Sequence, residues 1–342
     1  MTDISIIIPV YNAQSFLLQC LNSIFKQETS ANIEVIAIDD ASNDDSLSML
    51  KNYREKESRL KIIEHKENKR AAVARANGMK LSTAAYIMHV DADDYLIDGA
   101  IEKLYKKSKQ FDVDVIIYDY VLNNLKGKKQ TGFAIKKAFL TEDKQKVQKY
   151  FYQNSATKLV KKKLTENMIV GSEKINSTAE DLLYCTEILL KAKSFYVHPE
   201  VFYVGNVHEN SFTQQSSSPE IMLENRAVLL KTLKKITSIG PKDMLVINNI
   251  LNRIEKEVYK QSFIKLFSII QEPFNSNELI SSLKLFPEID LERIYRIELA
   301  INSRRVSIYY NLKQYGWHHI FKLIKVVLAR NIKIFLCLFV KK

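Results

Sequence analysis

Tyr86-Ile-Met-His-Val-Asp-Ala-Asp-Asp-Tyr95 is the stretch on which the architecture turns. Its first half, Tyr86–Val90, is apolar and β-prone; its second half brings Asp91, Asp93 and Asp94 together, with Asp98 just beyond. Such a switch marks a buried strand whose carboxyl end opens into a site, the place where open α/β sheets bind ligands. Acids packed this closely repel one another and call for a cation. Mg²⁺ or Mn²⁺ is the simplest choice, because both take oxygen ligands and bridge carboxylates to phosphate. A lone Asp-x-Asp would read equally well as a solvated acidic turn, so the neighbouring sequence has to decide.

Working outward, strand-like and helix-like segments alternate. Ile4–Val10 is an apolar run ending near Pro9 and a turn at Asn12, and Gln14–Lys26 has helical spacing in Phe16, Leu17, Cys20, Leu21, Ile24 and Phe25. Ile33–Ile38 is a second apolar run ending on Asp39-Asp40. Ser42-Asn43-Asp44 supplies N-cap chemistry for a helix over Ser46–Arg54. Leu60–Ile63 reads as a third strand, Arg70–Leu81 as a helix and Tyr86–Val90 as the fourth strand. This order predicts an α/β fold with a mostly parallel, Rossmann-like nucleotide-binding sheet covered on both faces.

Asn12, Asp39-Asp40 and Asp91–Asp94 each follow a strand, so all should gather at one sheet edge. There a carboxylate at Asp39 or Asp40 can accept the N3–H of a uracil-type base. A metal at Asp91 and Asp93 would bridge a diphosphate, and Arg75 offers a fork of donors to phosphate or base. Neither Gly-x-Gly-x-x-Gly nor Gly-x-x-x-x-Gly-Lys-Ser/Thr occurs, which removes the main support for dinucleotide and P-loop readings. With 8 glycines in the chain, phosphate is better held by metal and side chains than by a glycine cradle.

Taken in order, these pieces resemble the inverting GT-A glycosyltransferases of family 2. Pro9-Val10-Tyr11-Asn12, Asp39-Asp40-Ala41-Ser42-Asn43-Asp44, Ala74-Arg75 with Gly78, Asp91-Ala92-Asp93-Asp94, Lys158-Leu159 and Glu180-Asp181-Leu182 carry the likeness, over roughly Asp3 to Thr213. The resemblance implies nucleotide binding by Pro9, Tyr11, Asn12, Asp39, Asp40, Arg75, Asp91 and Ala92, and metal binding by Asp93 and Asp91. His208, in the segment that closes the domain, reads either as a third metal ligand or diphosphate donor or as a structural histidine. Asp181, beside Glu180, becomes the catalytic base. Inverting transfer needs one base for the acceptor hydroxyl, and a metal can neutralise the leaving diphosphate, so one carboxylate and one cation suffice. Acids in a helix's first turn are also stabilised by its dipole, the plainer account of Glu180 and Asp181. Two departures stand out: Asn68-Lys69-Arg70 where the family often has Asn-x-Gly, and Ala76 where an Asn usually follows the Arg.

The expected organisation is a catalytic domain over 1–215, a helical domain over 216–315 and a basic amphipathic helix over 316–342. No acidic residue occurs from Gly316 to Lys342, while Trp317, His318, Lys322, Lys325 and Arg330 stand among apolar residues. That pattern suits an anionic membrane surface, and its embedded charges argue against a span. The helical remainder would shape the acceptor site, a membrane face or a homo-oligomer contact. Three scattered cysteines suggest reduced thiols, and the N-terminus lacks a secretory pattern, so the expected location is the cytoplasmic face of the cell membrane. The formal charge of +12 asks for anionic partners. A UDP-sugar donor and a surface glycan or lipid-linked acceptor meet that demand. Nucleic acid does not, because the basic residues lack aromatic interleaving or a groove-binding motif. The alternative from another class is a noncatalytic sugar- or nucleotide-binding module on the same scaffold.

Overall fold

The computed structural model describes residues 2–123, 129–151, 154–170 and 179–208, together with Val246 and Asn249. All belong to the first of the two units into which the chain divides, Met1–Ile250 and Leu251–Lys342. Apart from Val246 and Asn249, the expected helical domain lies outside the described residues, as do the basic helix over 316–342 and the segment 209–213.

The elements follow in the order β1 (Ile4–Val10), α1 (Leu17–Phe25), β2 (Ile33–Asp39), α2 (Ser46–Lys56), β3 (Leu60–Glu64), α3 (Arg70–Leu81) and β4 (Tyr86–His89). They continue with β5 (Tyr95–Leu96), α4 (Ala100–Phe111), β6 (Val115–Asn123), β7 (Lys129–Thr131), β8 (Phe139–Thr141) and α5 (Lys144–Val147). Last come β9 (Lys158–Lys161), α6 (Ala179–Lys191) and β10 (Phe195–Asn206). Ile6, Ile7 and Ile8 of β1 are all fully buried, which requires both sheet faces to be covered and explains the unbroken apolar run. On α1, Leu17, Cys20, Leu21, Ile24 and Phe25 form the inward stripe that helical spacing demands.

The strand order is β3-β2-β1-β4-β9-β6-β10-β5. From β3 to β4 the pairing is parallel, as expected. Beyond β4 the sheet becomes mixed: β9 runs antiparallel between β4 and β6, while β10 returns parallel to β6. Parallel register places Val10 opposite Asp39 and Ile7 opposite His89, so the chain leaves β1, β2 and β4 at the same edge. Helix α3 lies close on this layer because Gly78 permits it. A Cβ there would stand 2.6 Å from Ile7 Cγ2 and 2.8 Å from Ile38 Cδ1.

Two boundaries differ from expectation by more than one residue. Helix α1 begins at Leu17 rather than Gln14, since the Gln14 amide donates to Asp44 Oδ2 at 3.0 Å. Helix α2 extends to Lys56 and takes its first-turn bond from Asp44, whose Oδ1 accepts Ser46 N–H at 3.0 Å.

Candidate active site

The loops after β1 and β2 are laced together. Asn12, with φ of 50°, accepts the Asn43 amide on Oδ1 at 2.8 Å and donates its own amide to Ser42 Oγ at 3.1 Å. Its side-chain carbonyl is thereby committed to loop structure, whereas neighbouring Tyr11 stands 47% exposed at the sheet edge. Pro9 is part-buried within β1. Asp39 and Asp40, adjacent and both buried, differ sharply in their bonding. Asp40 Oδ1 accepts from His65 Nδ1 at 2.6 Å and Lys69 N at 2.8 Å, and Oδ2 accepts from Arg70 N at 2.7 Å. Asp39 Oδ2 accepts only Ser42 N at 3.2 Å, and its buried Oδ1 has no partner.

Helix α3 has no side-chain cap of its own. Unsatisfied amides at a helix start need acceptors; here Asn68 Oδ1 takes Arg70 N–H at 3.1 Å, and further acceptors come from distant elements. Asp40 takes Lys69 and Arg70, and Glu180 Oε2 takes Ala72 N–H at 3.0 Å. The helix thus fixed carries Arg75, which is 7% exposed and reaches three carboxylates. Nη2 donates to Asp91 Oδ1 at 2.6 Å, and Nη1 donates to Glu180 Oε1 at 3.2 Å and to Asp181 Oδ1 at 3.3 Å. Arg75 Nε is buried without a partner, as are both ring nitrogens of His89, which packs 4.7 Å from Tyr184.

The acidic run after β4 splits into three tasks. Asp91 faces Arg75. Asp93 Oδ2 meets His208 Nε2 at 3.0 Å, and the His208 ring stacks on Phe16 at 4.7 Å. Asp94 turns inward, accepting from Tyr203 Oη at 2.5 Å and Asn206 N at 2.7 Å. Ala92 is buried between them. Burial, with Asp181 and Asp93 nearby, raises the Asp91 carboxyl despite Arg75. Burial likewise pushes Glu180 up to about 7, with Asp181 adding to it and Arg75 opposing.

Asp91, Glu180 and Asp181 therefore meet at one guanidinium although they lie far apart in sequence. Asp93 and His208 form a second, partly exposed pair. Among the described residues no group of three His, Cys, Asp or Glu is arranged to hold a metal. Asp93 and His208 nonetheless present a carboxylate oxygen and an imidazole nitrogen side by side, a donor set that fits Mn²⁺. Lys158 is committed to contacts within the fold. It is 1% exposed in β9, donates to Asn154 O at 2.8 Å and Thr157 Oγ1 at 3.1 Å, and sits over the Phe151 ring. Sequence patterns gave no sign of His65, Tyr203 or Asn206, lone polar residues whose partners are set by folding, and marked Asn77 solely as an Asn one place later than the family's.

A sheet edge with a buried, unpartnered carboxylate oxygen at one strand end, an acidic run at another and a facing carboxylate pair on a separate helix is the build of a glycosyltransferase with the GT-A fold. Residues 5–168, just under half of the chain, match the model of Glycosyl transferase family 2, so the chain carries a domain of that kind. The poly(ribitol-phosphate) beta-N-acetylglucosaminyltransferase TarP of Staphylococcus aureus is 31% identical over 217 residues, 62% of this chain and 65% of that protein. The poly(ribitol-phosphate) beta-glucosyltransferase of Bacillus spizizenii is 32% identical over 207 residues, 58% of this chain and 31% of that one. The chain thus spans less than two thirds of either relative's length. Among solved structures, S. aureus TarS 1-349 in complex with UDP-GlcNAc is similar, with a TM-score of 0.67 at 20% identity over 96% of this chain and 92% of that one.

Proposed function

We propose that this glycosyltransferase moves a sugar, with inversion, from a UDP-sugar to a hydroxyl of an anionic surface polymer of the poly(ribitol-phosphate) kind. The carrying observation is the single guanidinium of Arg75 shared by Asp91, on the donor side, and Asp181, on α6. Asp39 is the better receiver of uracil N3–H, because its Oδ1 is buried and unpartnered while both oxygens of Asp40 are taken. Exposed Tyr11 beside it offers a face for the base.

Asp181 is 30% exposed and keeps an oxygen available beyond its Arg75 contact, as a general base requires for an acceptor hydroxyl. Glu180, bonded to the α3 amide and to Arg75, fixes the arrangement rather than touching substrate. Asp93 and His208, with Asp91 close by, would hold Mn²⁺ or Mg²⁺ together with diphosphate oxygens. Such an ion would act as a Lewis acid for the leaving nucleotide.

The relatives named for poly(ribitol-phosphate) transfer support the acceptor class, and the +12 charge suits a polyanion. Among the described residues no helix is long and apolar enough to cross a membrane. Peripheral contact at the inner membrane face through 316–342 is part of this proposal on the ground of that segment's basic, acid-free sequence. The decisive experiment is Asp181→Asn assayed for UDP release from UDP-N-acetylglucosamine with poly(ribitol phosphate) and Mn²⁺. Transfer should fall by about a thousandfold or more while calorimetric UDP affinity holds. Normal turnover would remove Asp181 as base.

A further inference from the structure

Asp40 and Asn77 are joined through one imidazole. His65 follows directly on β3, and its backbone amide donates to Asp39 O at 2.9 Å. Its ring is 5% exposed and lies between Asp40 Oδ1, 2.6 Å from Nδ1, and Asn77 Nδ2, 2.9 Å from Nε2. An ionised Asp40 that already accepts two backbone amides can only accept again, so Nδ1 carries the proton. Nε2 then offers its lone pair to the Asn77 amide. The tautomer is fixed from both sides.

This chain links two halves of the site. Asp40 is one peptide bond from Asp39, and Asn77 stands two residues beyond Arg75 on α3. Asp40 also holds the α3 start, where Arg70 adopts φ of 71°. That left-handed conformation is costly for a side-chain-bearing residue and persists only where its surroundings hold it. Helix α3 is thus moored to the end of β2 at two points: its first amides through Asp40 directly, and its middle through His65.

We propose that His65 is a positioning residue for sugar transfer. By holding Asn77 against Asp40, it sets the position of Arg75 and, through Arg75, the placing of Asp91 relative to Asp181. The inference rests on the reading of Asp181 as base and Asp39 as uracil acceptor. It adds a residue that neither touches substrate nor belongs to any of the motifs described above.

The test compares His65→Phe, Asn77→Ala, the double variant and His65→Gln, in full-length protein with Mn²⁺, UDP-N-acetylglucosamine and poly(ribitol phosphate). A displacement of about 1 Å at a reacting centre can cost about a hundredfold, so kcat should fall between roughly tenfold and a hundredfold in His65→Phe and Asn77→Ala. Donor KM and UDP affinity should stay within about threefold, because the uracil and metal contacts remain. The double variant should be no worse than either single one, and His65→Gln, which can donate and accept along the same line, should recover most of kcat. Should His65→Phe fail to fold, Asn77→Ala carries the test alone. Wild-type kcat in Asn77→Ala, or kcat losses that only track lowered melting temperatures and are not restored in His65→Gln, would overturn the proposal. Wild-type protein that neither binds UDP nor releases it from the donor would instead bring down the reading beneath it.

Discussion

Asp39 and Asp40 are indistinguishable in the sequence and opposite in the fold. Asp40 spends both oxygens on His65 and the start of α3, whereas Asp39 keeps a buried oxygen unpaired. Leaving a buried acceptor unsatisfied costs about 1–3 kcal/mol, a cost that a ligand's N–H would offset. Asp39→Asn should therefore weaken UDP binding by about tenfold or more by calorimetry, with the melting temperature held or raised. Asp40→Ala should do the reverse in kind and lower the melting temperature, because it releases two helix-start amides and His65. Similar effects from both variants would show that the two acids share one task. Glu180 gives a second handle at this scale. Folding holds its proton up to about pH 7, against an ordinary value of 4.5. Between those limits the folded chain binds more protons than the unfolded one. The associated stability is thus present below 4.5 and is lost as pH rises through about 7. Glu180→Gln should remove that part of the slope in melting temperature between about pH 5 and 7. A slope identical to wild type would place the titration elsewhere.

Helix α3 shows what could be read in advance and what could not. Its span, Arg70–Leu81, and the strands β1 to β4 could be read from the local sequence alone. Its capping is only partly local: Asn68 accepts the Arg70 amide from two residues away, whereas the other acceptors for its first amides lie 29, 30 and 108 residues away. For the same reason the motif acids were legible as a set while their division of labour was not, since Asp94 and Asp40 differ from Asp93 and Asp39 only in what folding brings beside them. Strand β9 was hidden for another cause. Its sequence, Lys-Leu-Val-Lys, reads as a surface segment, and only the burial of Lys158 against Phe151 and the Asn154 carbonyl makes it a central strand. The close seat of α3 also yields a prediction. Gly78→Ala would gain about 1 kcal/mol of helix propensity, yet its Cβ would press on Ile7 Cγ2 and Ile38 Cδ1 inside 3 Å. Both isoleucines are fully buried and stiff at χ1, so overpacking of about 1–3 kcal/mol should prevail. Urea unfolding should report a lower midpoint at unchanged slope, and an unchanged or higher midpoint would mean that the layer yields.

At the scale of the molecule, 51 Lys and Arg against 39 Asp and Glu leave a charge of +12, although the site described is itself rich in carboxylates. The two facts are reconciled if attraction to the acceptor acts at long range and the chemistry acts at contact. A polymer carrying a phosphate on each unit feels the summed field of the protein, which screening weakens over about 10 Å at 0.1 M salt and about 3 Å at 1 M. In the proposed reading, a UDP-sugar held at Asp39 and the Asp93–His208 pair would depend on short contacts that salt screens far less. Raising NaCl from about 0.05 to 0.5 M should therefore increase KM for poly(ribitol phosphate) by about tenfold or more, while UDP affinity and kcat move by less than about threefold. The contrast separates charge steering from general destabilisation, which would depress all three quantities together. If KM for the polymer proved indifferent to salt, the positive charge would have to serve another anionic surface, and the acceptor would be chosen by contact alone.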